Sequence, residues 1–191
     1  MSQVKLEEAL KEISFYGRKC SELGLVVASG GNISIRSGKR IYITKHGCSL
    51  GKIERGDIVC VFLNKRSKRD KKASMDLEIH RAIYRASNFK AVLHTHPPFI
   101  IALSIHLDTY KPIDFESRLY LGSVPIIRSK HLSQEFLNDI SRVFKEGGAV
   151  IARGHGIYVA GGSLEEAFNI TNLIEHSAKI AYLTSSLRKV A

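Results

Sequence analysis

Ala91-Val92-Leu93-His94-Thr95-His96 is the stretch on which the reading of this chain turns. Three apolar residues run directly into a His-x-His pair, and residues two apart on a strand point to the same side of a sheet. The pattern predicts a buried strand over residues 90–95 whose end delivers two imidazoles to one place. Neutral imidazole is the commonest protein ligand for zinc, and two such rings fill two corners of a tetrahedron. A second reading stays open, because histidines at strand ends also occur as partly buried polar groups satisfied by a backbone hydrogen bond.

A third ligand has to come from elsewhere, and Arg153-Gly154-His155-Gly156 offers one at the end of a strand predicted over residues 149–153. The flanking glycines let the backbone bend closely around a site. Three neutral ligands leave an open coordination position and keep the centre cationic, so such a metal polarises a carbonyl, holds an enediolate or activates water. Asp76 falls just before a helix predicted over residues 77–86. It reads either as a favourable charge at a helix amino terminus or as a general base beside the metal. Ser29-Gly30-Gly31-Asn32-Ile33-Ser34 reads either as an ordinary tight turn or as backbone amides gathered around a phosphate.

Outward from these motifs, Leu6, Ala9, Leu10, Ile13, Tyr16, Cys20 and Leu23 recur at three- and four-residue steps and predict an amphipathic helix ended by Gly24. Ile33-Ser34-Ile35 and Ile41-Tyr42-Ile43 flank Ser37-Gly38 as a hairpin, followed by a strand over residues 57–63. Pro97-Pro98 stops strand pairing and opens a short helix. A strand over residues 123–128 and an amphipathic helix over residues 132–145 come next. Ser163-Leu164-Glu165-Glu166 is a capping box opening a long helix with Ala167, Phe168, Thr171, Ile174, Ala178, Ala181 and Leu183 on its inner side. The expectation is an α/β protein of the α+β type: one domain over residues 1–191 in which helices cover a largely antiparallel sheet.

Composition narrows the class of protein. A chain of 191 residues, 44% of them hydrophobic, has enough apolar side chain for a substantial core. Its three cysteines, Cys20, Cys48 and Cys60, form no CxxC or zinc-finger spacing, which suits a reducing cytoplasm. Charges in MSQVKLEEALKEI argue against a secretory signal, and no run is long enough to span a bilayer. A net charge of +11 suits an anionic partner such as nucleic acid, a membrane surface or a phosphorylated metabolite, and charge alone does not choose among them. Lys65-Arg66-Ser67-Lys68-Arg69-Asp70-Lys71-Lys72 lacks interleaved aromatics for base stacking and reads as a solvated loop, which argues against nucleic acid.

Taken in order, Gly31-Asn32-Ile33-Ser34, Ile43-Thr44-Lys45-His46-Gly47, Ser74-Met75-Asp76, His94-Thr95-His96-Pro97 and Gly154-His155-Gly156 resemble the class II aldolase/adducin family from about residue 6 to residue 187. The resemblance implies a three-layer domain with a central, mainly antiparallel sheet, and a homotetramer with active sites between subunits. It implies that His94, His96 and His155 hold Zn2+, although imidazoles also accept cobalt, nickel and manganese. It further implies that Gly31, Asn32, Gly47 and Ser74 hold a sugar phosphate and that Asp76 stands where the aldolases carry a catalytic glutamate. The implied activity is reversible aldol cleavage of a ketose 1-phosphate, such as fuculose 1-phosphate, to dihydroxyacetone phosphate and a small aldehyde. Sugar-phosphate 4-epimerase, methylthioribulose-phosphate dehydratase and a non-catalytic adducin-like module are the alternatives.

The chain departs from the family pattern at several places. His46 replaces a hydroxyl residue in the second phosphate loop, where its ring N–H is the available donor, and Met75 replaces a serine and donates nothing. Asp76 is one methylene shorter than glutamate. Arg118 lies near where the epimerases carry a second acidic residue. The sequence ends at Ala191, before the tail that brings a tyrosine to the family's active sites, and Tyr120 and Tyr110 are the candidates to replace it.

Overall fold

Residues 3–187 are described in a computed structural model of the protein. Helix α1 (Gln3–Glu22) leads into β1 (Asn32–Ser37), β2 (Arg40–Thr44) and β3 (Ile58–Phe62). Helix α2 (Leu77–Ala86), β4 (Ala91–Thr95) and α3 (Pro98–Ser104) follow, and then β5 (Thr109–Tyr110), α4 (Phe115–Tyr120) and β6 (Val124–Ile127). The chain closes with α5 (Gln134–Val143), β7 (Ala149–Ala152), β8 (Gly156–Gly161) and α6 (Leu164–Leu187). The expected end of α1 takes the form of a Schellman turn. Gly24 has φ +69, and the Gly24 and Leu25 amides donate to the Ser21 and Cys20 carbonyls at 3.1 and 2.9 Å.

The strands form one eight-stranded sheet in the order β3-β2-β1-β4-β8-β7-β6-β5. Every pairing is antiparallel except β6 with β7. That parallel pair needs a crossover, which α5 supplies. Alternation along the strands divides the core in two. Ile33, Leu93, Ile151, Ile157 and Val159 face a layer containing α1, α3 and α6. Val92, Val150, Tyr158 and Ala160 face α2 and α5 on the opposite side. The three-layer arrangement and the mainly antiparallel sheet match the fold expected from the sequence.

Several elements differ from the sequence reading. β8, α4 and the two-residue β5 were not foreseen. The basic stretch 65–72 contains a 3-10 turn over Lys68–Lys72, tied down where the buried Arg81 guanidinium meets Asp70 at 2.8 Å and the Lys65 carbonyl at 3.2 Å. On α6, Leu183 is 49% exposed and so does not join the inner face, which ends with buried Ile174 and Ala178. No helix among the described residues is long and apolar enough to cross a membrane.

Candidate metal centre and active site

Strand direction brings the distant motifs together. β8 is antiparallel to both β4 and β7, and β6 is parallel to β7, so β4, β6 and β7 run the same way. Their carboxyl ends open on one edge of the sheet, where the chain continues into His96, His131 and His155 respectively. β1 and β8 run oppositely and begin at that edge, with Asn32 and with Gly156–Tyr158. Asn32 pairs in register with His94, and His94 with Tyr158. These three side chains thus form a row across adjacent strands, on the face covered by α2. The His94 ring stacks on Tyr158 with centroids 4.0 Å apart and planes 8° from parallel.

His94, His96 and His155 offer ring nitrogens that all lie within 4.8 Å of one another. Nε2 of His94 and Nε2 of His96 are 2.9 Å apart. A tetrahedral zinc with bonds of about 2.0–2.1 Å separates its ligand nitrogens by roughly 3.3 Å, so these two rings need only a small opening. His94 Nδ1 lies 2.8 Å from the Ile157 carbonyl oxygen. That oxygen only accepts, so Nδ1 carries the proton and Nε2 keeps its lone pair, as a metal-binding imidazole requires. His155 Nδ1 is buried with no hydrogen-bond partner among the described residues, which suits a nitrogen that faces a cation.

Electrostatics favour neutral rings. Burial pushes His94 down to about 3, reinforced by His96 and His155 against the pull of Asp76. Burial also lowers His96, and it lowers His155 to about 4 with help from His131 and His96. Three imidazoles that stay unprotonated at neutral pH lose no proton when they bind a cation. The donor set therefore fits a divalent transition metal. Gly156 makes the approach possible, since a Cβ there would lie 2.7 Å from His96 Cδ2 and 3.1 Å from His94 Cε1.

Asp76 occupies the cap position before α2, but its side chain makes no cap hydrogen bond. It turns instead toward the cluster. Its Oδ2 accepts from Asn32 Nδ2 at 2.9 Å and from the Tyr158 hydroxyl at 3.0 Å, and its Oδ1 lies 3.2 Å from His131 Nε2. Burial pushes this carboxyl up. The His131 contact, the adjoining His94 ring and the Asn32 amide outweigh burial and hold it well below the usual carboxylate range. His94 Nε2 is 3.6 Å from Asp76 Oδ2; with His94 neutral, this is a polar contact and not an ion pair.

A cavity of about 170 Å³ opens over the cluster. Gly31, Asn32, His46, Gly47 and Ser74 all line it, as do Asp76 and the three histidines. Tyr110 and Tyr120 do not. Tyr110 is buried and donates to Ser177 at 2.7 Å, and Tyr120 is 71% exposed on α4. Three neighbours of Asp76 escaped the sequence reading. His131 sits alone in a basic loop and carries no spacing signal, whereas Tyr158 follows His155 on the unforeseen β8. His80, one turn after Asp76 on α2, reaches Asn32 Oδ1 at 2.6 Å.

Known proteins resemble this chain over most of its length. A family model described as the Class II Aldolase and Adducin N-terminal domain matches residues 11–182. An L-fuculose phosphate aldolase of Methanococcus maripaludis is 32% identical over 165 residues, covering 85% of this chain and 90% of that protein. A 3-oxo-tetronate 4-phosphate decarboxylase of Haemophilus influenzae is 27% identical over 174 residues, covering 87% and 83%. The crystal structure of L-fuculose-1-phosphate aldolase from Thermus thermophilus superposes with a TM-score of 0.90 at 28% identity, over 95% of this chain and 96% of that one. With the family model spanning both sheet halves and every motif of the histidine cluster, the chain belongs to the class II aldolase and adducin family.

Proposed function

We propose that the protein is a zinc-dependent lyase that reversibly cleaves a ketose 1-phosphate, such as fuculose 1-phosphate, to dihydroxyacetone phosphate and a small aldehyde. The observation that carries this reading is a buried, anionic carboxylate beside three neutral imidazoles at the mouth of one cavity. His94, His96 and His155 would hold the cation. When bound, it supplies electrophilic polarisation of a substrate carbonyl and compensates negative charge that develops on its oxygen.

The remaining chemistry belongs to the side chains. A carboxylate offers about four lone-pair sites. Asn32 and Tyr158 donate to Oδ2, and His131 Nε2, 3.0 Å from the Tyr158 hydroxyl, lies 3.2 Å from Oδ1, which leaves a site on Oδ1 to take and return a proton at the carbon next to the carbonyl. Fixed donors aim the ionised Asp76 carboxylate into the cavity as a general base, at the expense of some of its basicity. Gly31, Asn32, His46, Gly47 and Ser74, which share the cavity, are read as the phosphate-binding wall. The same reading takes the enzyme as a cytoplasmic homotetramer formed by one 191-residue domain per subunit. Exposed Ile113, Phe115, Leu119 and Tyr120, in and before α4, support a subunit contact.

A second reaction has a specific observation behind it. The Haemophilus influenzae relative is named for decarboxylation of a 3-oxo acid phosphate, and the loss of carbon dioxide beside a polarised ketone calls for the same residues. Product analysis separates the two, since one reaction releases an aldehyde and the other carbon dioxide. The test of the reading is elemental analysis of the purified protein with a screen of ketose 1-phosphates and 3-oxo acid phosphates. His94→Ala is expected to lose both metal and turnover, and a variant that retained both in full would refute the assignment.

A further inference from the structure

Asp76, His80 and Tyr84 lie four residues apart on and just before α2, and they meet Asn32 and Ser34, two apart on β1. Four helical residues advance about 6 Å and two strand residues about 6.6 Å, so the two rows stay in step. Contacts pass back and forth between them. Asn32 Nδ2 donates to Asp76 Oδ2 at 2.9 Å, and His80 Nε2 lies 2.6 Å from Asn32 Oδ1. Ser34 Oγ lies 2.7 Å from His80 Nδ1 and 2.8 Å from the Tyr84 hydroxyl, whose single hydrogen is within reach of both Ser34 Oγ and, at 3.0 Å, the Ser34 carbonyl oxygen. All five residues are buried, His80 and Ser34 completely.

Counting hydrogens gives the chain a direction. The Asp76 carboxylate only accepts, so Asn32 turns its NH2 to it and its carbonyl oxygen to His80. That oxygen also only accepts, so His80 carries its proton on Nε2. Nδ1 is then bare and accepts from the Ser34 hydroxyl. Burial keeps the ring neutral, pushing it down to about 4 against the pull of Asp76.

We propose that His80 is a positioning residue for the reaction: it locks the Asn32 amide with its NH2 toward the cavity, one hydrogen on Asp76 and the other offered to a phosphate oxygen of the substrate. This inference rests on the sugar-phosphate reading above. Without His80 the buried Asn32 carbonyl oxygen has no donor and Asp76 alone orients the amide, so its NH2 is held less firmly toward the cavity. His80 thus sets phosphate affinity without touching the phosphate. It is a different kind of contributor from the residues that line the cavity.

The test uses the full-length, metal-loaded protein with inorganic phosphate as the probe. Nitrogen-15 NMR of the wild type is expected to show a neutral His80 with its proton on Nε2. Calorimetry is expected to show phosphate binding weakened about tenfold in His80→Leu, the scale of one lost hydrogen bond. In His80→Gln, whose amide N–H replaces the Nε2 donor, affinity is expected to stay within about twofold of wild type. KM for a ketose 1-phosphate should rise in step with the phosphate constant while kcat falls less, because Tyr158 and His131 still hold Asp76. Should the leucine variant fail to fold, His80→Asn keeps a partner for Ser34 but is too short for Asn32, and the same weakening is expected. A proton on Nδ1, no phosphate binding by the wild type, unchanged affinity in the leucine or asparagine variant, or a glutamine variant as weak as leucine would each overturn the proposal. If phosphate affinity depends on His80 as described and no ketose 1-phosphate is turned over, the proposed reaction fails and this inference stands.

Discussion

Replacing Gly156 by alanine tests whether close approach of the histidines is what makes the centre. The backbone at Gly156 does not lie in the left-handed region, so the requirement there is for space. A Cβ would meet the Thr95 carbonyl and sit 2.7 Å from His96 Cδ2 and 3.1 Å from His94 Cε1. Ordinary carbon contacts begin near 3.5 Å, so the His96 ring must withdraw by about 0.8 Å or the β4–β8 pairing must part. Metal sites tolerate about 0.2 Å in ligand distance. Metal affinity is therefore expected to fall by about 10- to 100-fold, the scale seen when ligand support is lost, and turnover by about a hundredfold. Overpacking should cost about 1–3 kcal/mol in stability. Chelator competition reads the affinity, steady-state kinetics the turnover and denaturant titration the stability. Gly148→Ala is the control, because its Cβ meets the Ala160 carbonyl at 3.1 Å and Phe89 at 3.6 Å, away from the histidines; it should lose stability and keep its metal. A Gly156→Ala protein with wild-type metal affinity and turnover would show that the ligands do not depend on that missing side chain.

Three further outcomes are expected. Asp76→Asn keeps the shape of the side chain and removes the base, so kcat should drop about 10²- to 10⁴-fold with metal content unchanged; equal loss of metal would instead make Asp76 a support for the ligands. Glu175 accepts from the Phe99 and Ile100 amides at 3.0 Å each, capping α3 just after His96. Glu175→Ala should lower stability by about 1–2 kcal/mol in urea, and an unchanged midpoint would rule that cap out. His80 is held neutral in the fold, at about 4 against an ordinary 6.5, so the unfolded chain takes up the proton first as pH falls. Stability is then full above about pH 6.5 and is lost toward pH 4, by up to about 1.4 kcal/mol per pH unit. In metal-free protein His80→Gln should reduce the slope by one proton's share, the lowered His94, His96 and His155 rings keeping theirs, and identical pH profiles for the two proteins would contradict the buried neutral ring.

The parts of the molecule legible in the sequence are those with one buried and one solvated side, or with a sharp boundary. Helix α2 begins and ends where its pattern places it, and the hairpin of β1 and β2 follows from Ser37-Gly38 between two alternating runs. β8 was hidden because all six of its residues are buried, which erases alternation, and its terminal glycines resemble loop. Helix α4 exposes Phe115, Leu119 and Tyr120, so no apolar stripe marks it. The Asp114 side chain that accepts from the Ser117 amide at 3.0 Å was the available signal. At the site, the His-x-His and Gly-His-Gly motifs stood out because ligand chemistry restricts residue type and spacing. His80 and Tyr84 did not, since polar residues at four-residue steps on a helix ordinarily face water. Only the arrival of Asn32 and Ser34 on a neighbouring strand makes them interior.

The pairing of β4 with β8 joins His94 to Tyr158 across more than sixty residues of intervening chain, whereas β1 and β2 meet across a two-residue turn. Closing so long a loop is entropically late work, and non-local strand pairs are slow to form. The histidine cluster is thus expected to form late in folding. A cation that binds only the finished cluster deepens the native basin without smoothing the route into it. If His94, His96 and His155 hold a cation as proposed, metal starvation is expected to shorten the working life of each molecule while leaving the rate at which new ones mature unchanged.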